Sequence, residues 1–101
     1  MEVLNTMLRQ IGAMNIMAIS GGRKVVVDES TLRFPVSSGY HVEVEYKPAL
    51  DLYSVRRVTI RKANGLPVRK IKGELTHLYA DQVGEQAYQA SCYKNVLFGV
   101  A

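Results

Sequence analysis

The chain has 101 residues, 48% of them hydrophobic, which suits one domain, 1–101, with a single modest core and excludes two. The apolar residues are spread along the whole length, which argues against disorder, and the longest apolar stretch falls short of the roughly 20 residues of a membrane span. Its net charge is +4, its one cysteine, Cys92, cannot form an internal disulfide, and no basic-then-apolar leader opens it, so a cytoplasmic protein is expected.

Val3, Leu4, Met7, Leu8 and Ile11 form one apolar stripe at helical spacing, and Gly12 is placed to end that helix. Met14 to Ile19 is a short apolar run closed by Gly21-Gly22, which reads as a strand and a hairpin turn into a second strand at Lys24–Val27. Asp28-Glu29-Ser30 turns the chain again. From Thr31 to Val36 the pattern alternates, with Pro35 pointing to a sheet edge or a strand end. After Ser37-Ser38-Gly39, Tyr40, Val42, Val44 and Tyr46 face one way, and His41, Glu43, Glu45 and Lys47 face the other.

Asn64-Gly65 is the strongest turn signal, because a type I′ hairpin turn needs positive φ at both central residues. With those two as the loop, Lys62 faces Pro67, Ile60 faces Arg69, Val58 faces Ile71 and Arg56 faces Gly73. That set is expected on the core face, and Arg57, Thr59, Arg61, Val68, Lys70 and Lys72 on the solvent face. A last helix is expected from about Leu78 to Ser91, with Thr76 as its N-cap and Tyr79, Val83, Ala87 and Ala90 as its stripe. Gly84 in its interior costs roughly 1 kcal/mol against alanine, which points to close packing by a strand or Tyr88. The tail NVLFGVA is apolar and either joins the core or is exposed for a partner. The sum is an α+β fold: an N-terminal helix, an antiparallel meander of about six strands and a C-terminal helix, in a two-layer sandwich.

Charge is distributed unevenly. Between Leu52 and Gly73 lie Arg56, Arg57, Arg61, Lys62, Arg69, Lys70 and Lys72 and no acid, so this segment is +7, while the remainder, with 6 basic and 9 acidic residues, is −3. Such asymmetry bears on partners rather than on fold.

The pieces LNTMLRQIG at 4–12, AISGGRK at 18–24, TLRF at 31–34, DLYSV at 51–55 and LYADQV at 78–83 resemble a family of small bacteriophage and prophage proteins, mostly of unassigned function. The resemblance spans most of the chain and implies a small accessory protein acting in a bacterial host's cytoplasm. It departs at Arg56-Arg57, where the family tends to carry acidic or mixed residues, and at Ser91-Cys92, where it tends to have a Thr-Gly pair.

No motif fixes a reaction, and the expectation is a non-enzymatic protein with no cofactor and no metal. His41, His77 and Cys92 lack the spacing of a nucleophilic dyad, and one cysteine with two scattered histidines does not supply four zinc ligands. Glu43 and Glu45 are placed for cross-strand pairing with Arg57, Arg61 or Lys72. Gly21-Gly22-Arg23-Lys24 lacks the full phosphate-loop pattern. The candidate partner-binding residues are therefore Arg57, Arg61, Lys62, Arg69, Lys70 and Lys72, expected to dock on an acidic host protein of the defence or transcription machinery. Nucleic acid bound through its phosphates is the alternative. No membrane partner is expected, and the protein is expected to be a monomer or a homodimer.

Overall fold

A computed structural model describes residues 2–37 and 39–92; the apolar tail lies outside them. The chain runs α1 (Glu2–Ile11), α2 (Ala13–Ser20), β1 (Val25–Asp28), β2 (Thr31–Ser37), β3 (Tyr40–Lys47), β4 (Leu52–Ala63), β5 (Leu66–Leu78) and α3 (Ala80–Cys92). The strands form one antiparallel sheet in the order β1-β2-β3-β4-β5. The α+β class and the meander hold, with five strands among the described residues rather than about six.

The missing strand is α2. Met14 to Ile19 is helical because Met, Ala and Ile propagate a helix already nucleated in α1, with only Gly12, at φ 95°, as the break between the two. Gly21-Gly22 is the stop of this helix rather than a hairpin turn. Both glycines are left-handed, and their N–H groups close the last turn onto Met17 O at 2.8 Å and Ile16 O at 3.4 Å. The apolar run misled because α2 buries only one side, Ile16 and Ile19, and leaves Met14 87% exposed.

The core joins Leu4, Met7 and Ile11 of α1, Ile16 and Ile19 of α2, and Val83, Ala87 and Ala90 of α3 with Leu32, Phe34, Val42, Val44, Tyr53 and Val55 of the sheet. Gly84 is the contact that lets α3 approach. A Cβ built there meets the carbonyl oxygen of Ile11 at 2.4 Å and Asn15 Nδ2 at 2.7 Å. The close neighbour is thus the α1–α2 junction, not a strand or Tyr88. Asn15 Nδ2 donates to that same carbonyl at 2.8 Å, so a helix-end carbonyl that needs a partner has one.

Pro35 sits where the alternation placed it. β1 reaches only as far as Arg33 on β2, so beyond that point β2 has no neighbour on its β1 side for Pro35 to disappoint. At the far end of the chain, α3 begins after Tyr79 rather than near Thr76. Gln82 Oε1 accepts from the Tyr79 N–H at 2.9 Å, the N3 half of a capping box.

Candidate functional site

Asn64 at φ 54° and Gly65 at φ 82° make the expected tight turn, and the register Lys62–Pro67, Ile60–Arg69, Val58–Ile71 follows from it. It then slips. Gly73 pairs with Arg57 and Glu74 with Arg56, because Lys72 is an extra residue in β5, a bulge with no partner on β4. The alternation along β4 is as expected, but the assignment of its faces is the reverse. Tyr53, Val55, Arg57 and Thr59 face the helices; Arg56, Val58 and Ile60 face away, beside His41 and Glu43 of β3.

Arg57 is consequently buried, 3% exposed, and its Nε donates to the carbonyl of Ala90 at 2.8 Å, near the C-terminal end of α3. Burial pulls its pKa below the ordinary arginine value, with Tyr40 opposing. A cation facing the last turn of a helix satisfies a carbonyl and complements the helix dipole. Arg57 belongs to the scaffold, which removes it from the solvent face of the ribbon.

Arg69 is also committed, though 40% exposed. Its Nη2 and Nε lie 2.5 Å and 3.0 Å from the two carboxylate oxygens of Glu43. Arg33 Nε donates to Glu43 Oε2 at 3.1 Å, and Arg56 joins Glu45 at 2.6 Å and Glu74 at 3.0 Å. Three arginines and three glutamates thus form a charge-balanced cluster on the sheet face turned away from the helices. Cross-strand pairing of Glu43 and Glu45 is what occurs, but with Arg33, Arg56 and Arg69, not Arg57, Arg61 or Lys72. Glu43 is only 2% exposed. Burial pushes its carboxyl up, but the hydrogen bond and charge of Arg69, then those of Arg33, outweigh it and hold the group below its ordinary value.

Four cations of the original set remain in solvent: Arg61, Lys62, Lys70 and Lys72, none of them in an ion pair among the described residues. Every residue from Arg61 to Lys72 is exposed, so the distal part of the β4–β5 hairpin is an arm clear of the core. Three aliphatic side chains share it: Leu66, 68% exposed, Val68 and Ile71.

The opposite end of β4 holds a second feature that the residue pattern did not bring together. A cleft of about 670 Å³ lies between the start of α1, the β3–β4 turn and the start of α3, lined in part by Glu2, Asp51, Asp81, Tyr46, Tyr53 and Tyr79. Among the described residues no lysine or arginine lines it. Asp51 adopts φ 54°, a backbone state that aspartate tolerates better than most residues. Its Oδ1 accepts from the Tyr46 hydroxyl at 2.6 Å, a bond that raises the Tyr46 pKa. Tyr53 donates to Gln10 Oε1 of α1; burial, then the nearby Tyr46 and Asp51, push its pKa up to about 12. The two rings pack with centroids 5.1 Å apart. The sequence carried a partial signal, Tyr46, Asp51 and Tyr53 around one turn, but the contribution of α1 and α3 depends on the topology.

His41 lies near the start of β3, half-buried rather than on an open solvent face, and burial lowers its pKa, with Arg33 reinforcing and Glu43 opposing. His77 sits near the end of β5, hydrogen-bonded to Thr76, and Cys92 is exposed at the end of α3. Neither histidine bonds the thiol among the described residues, and no three metal-ligating side chains cluster there. Among the described residues no helix is long and apolar enough to cross a membrane. No family model matches the chain, and no curated protein or solved structure matches it significantly.

Proposed function

We propose that the chain is a small non-enzymatic binding protein whose β4–β5 arm docks on an acidic surface of a partner protein. The observation that carries this reading is the composition of the arm, in which Leu66, Val68 and Ile71 are exposed among Arg61, Lys62, Lys70 and Lys72 with no acid between them. A phosphate backbone offers these aliphatic groups nothing. An apolar patch rimmed by acids covers them, and fully burying each is worth about 1.5–3 kcal/mol. The cations then steer association and fix its register more than they add affinity. The helices form one layer on one face of the sheet in this reading, and the arm is the part of the ribbon that extends past them. The resemblance to small phage proteins makes a bacterial host component in the cytoplasm the expected partner.

Two measurements test the proposal. Affinity capture from a host lysate is run with the wild type and with Arg61→Glu/Lys70→Glu; a partner lost only from the variant supports the arm as the interface, and an identical set of captured proteins counts against it. Fluorescence anisotropy with a random-sequence duplex covers nucleic acid. Tight binding whose logarithm falls with log salt at a slope of about −3.6, the value for four phosphate contacts, overturns the protein-binding reading.

A further inference from the structure

We infer that the acidic cleft receives the basic arm of a second copy of this chain, so that the protein associates head to tail. This rests on the reading of the arm as a docking surface and names one acidic surface that it fits. Glu2, Asp51 and Asp81 line the cleft with no lysine or arginine among the described residues of its walls, and the arm presents Arg61, Lys62, Lys70 and Lys72 with no acid. Removing those four cations from the 13 basic residues leaves 9 against 9 acidic residues, so the net +4 of the chain equals the charge of the arm. The body that offers the cleft is therefore neutral as a whole, and the local negative charge of the cleft is not opposed by a cationic body.

Reach decides which copy supplies the arm. Tyr53, in the cleft, and Ala63, at the arm's turn, are ten residues apart on the same strand, a separation of roughly 33 Å at about 3.3 Å per residue. The strand between them is rigid, paired on both sides over most of that length. An arm cannot fold back into its own cleft. The turn that enters from another copy is slim, Ala63-Asn64-Gly65-Leu66, and brings Lys62 and Leu66 toward the Tyr46 and Tyr79 side chains. An ammonium group over a tyrosine face beside a carboxylate gains from both. The two contacting patches are different, so the contact is heterologous, and an open assembly keeps one free arm at one end and one free cleft at the other unless a ring closes.

The test is sedimentation velocity on the full chain across a wide concentration range at low and at high salt. Wild type is expected to gain mass with concentration at low salt and to return to monomer at high salt. Lys62→Glu/Lys70→Glu removes the arm and Asp51→Asn/Asp81→Asn removes the cleft; each alone is expected to associate roughly tenfold or more weakly. Asparagine keeps the positive φ at position 51, and circular dichroism checks that both variants fold. Mixing the two variants is the decisive arm, because the first retains its cleft and the second its arm. A one-to-one complex that grows no further supports the inference, and two monomers in the mixture overturn it. A wild type that stays monomeric at every concentration also overturns it. Capture of an acidic partner that survives Asp51→Asn/Asp81→Asn but not Lys62→Glu/Lys70→Glu, from a protein that stays monomeric, refutes self-association alone and leaves the docking role of the arm standing.

Discussion

Glu43→Gln tests the account of the charge cluster. The carboxylate is 2% exposed and serves Arg69 through two hydrogen bonds and Arg33 through one, with Arg56 Nε at 3.6 Å. Removing one partner from a buried ion pair costs about 3–5 kcal/mol, because the other charge is left in a low dielectric. Here the cost is smaller. Arg69 and Arg33 are 40% and 22% exposed and can turn to water, while Arg56 keeps Glu45 and Glu74, so a loss of about 2–3 kcal/mol is expected. In urea at neutral pH the midpoint falls by about 1–2 M with an unchanged slope. The pH dependence fixes the cause. Glu43 titrates below its ordinary 4.5 when folded, so the unfolded chain binds more protons between the two values and stability rises with pH there. The contribution is complete above pH 4.5 and is lost as pH falls through the depressed value, so the curves of wild type and variant converge in acid. A neutral-pH loss under about 0.5 kcal/mol, the ordinary range for surface changes, refutes the argument that this carboxylate is structural.

Three further outcomes follow from the packing. Gly84→Ala raises intrinsic helix propensity by about 1 kcal/mol yet is expected to destabilise by about 1–3 kcal/mol in thermal unfolding, because its Cβ collides with backbone at Ile11. Arg57→Ala is expected to cost about 2–3 kcal/mol by urea titration through the bare Ala90 carbonyl and the lost packing; Lys72→Ala, on the exposed bulge, stays within about 0.5 kcal/mol. Tyr53, with its pKa raised from 10.0 to about 12, binds its proton more tightly folded than unfolded. Stability is therefore full below pH 10 and falls as pH rises toward 12, and Tyr53→Phe is expected to remove much of that alkaline slope.

The α+β class, the order of the meander and the arm's turn could be read from local chemistry. Alternation around Val42 and Val44, the helical stripe of α1 and the positive φ required at Asn64-Gly65 are properties of neighbouring residues, and the structure reproduces them. What failed depended on distant partners. Nothing near Met14 distinguishes a short apolar strand from a short apolar helix, since that choice is made by what Ile16 and Ile19 cover. The expected faces of β4 are reversed because Val58 and Ile60 mark their side as the core face, whereas Arg57 on the other side has a helix end to meet at Ala90. Of the six cations proposed as a contact surface, the structure leaves four in solvent and commits Arg57 and Arg69 elsewhere. The +7 of the segment counted charges without their counterions, and Glu43, Glu45 and Glu74 reach it from β3 and from the base of β5.

Arg69 links the cluster to the arm, and a mechanical consequence follows. Its ladder partner is Ile60, whereas Glu43 pairs with Arg56, so the ion pair spans two strands sideways and four residues along β4. On a flat sheet those Cα positions lie roughly 16 Å apart; the bidentate contact at 2.5 Å and 3.0 Å therefore requires the hairpin to coil toward the face that carries the cluster. Arg69 ties the arm down at its base. Arg69→Ala is expected to leave the core intact, with a global loss of about 1 kcal/mol or less because the guanidinium is partly solvated, while amide exchange in the 60–70 hairpin quickens by roughly tenfold, the signature of a local opening. Exchange elsewhere in β3 and β4 is expected to change little. If the hairpin amides exchange as in wild type, the arm is held by its own backbone ladder and the Glu43–Arg69 pair contributes no tether.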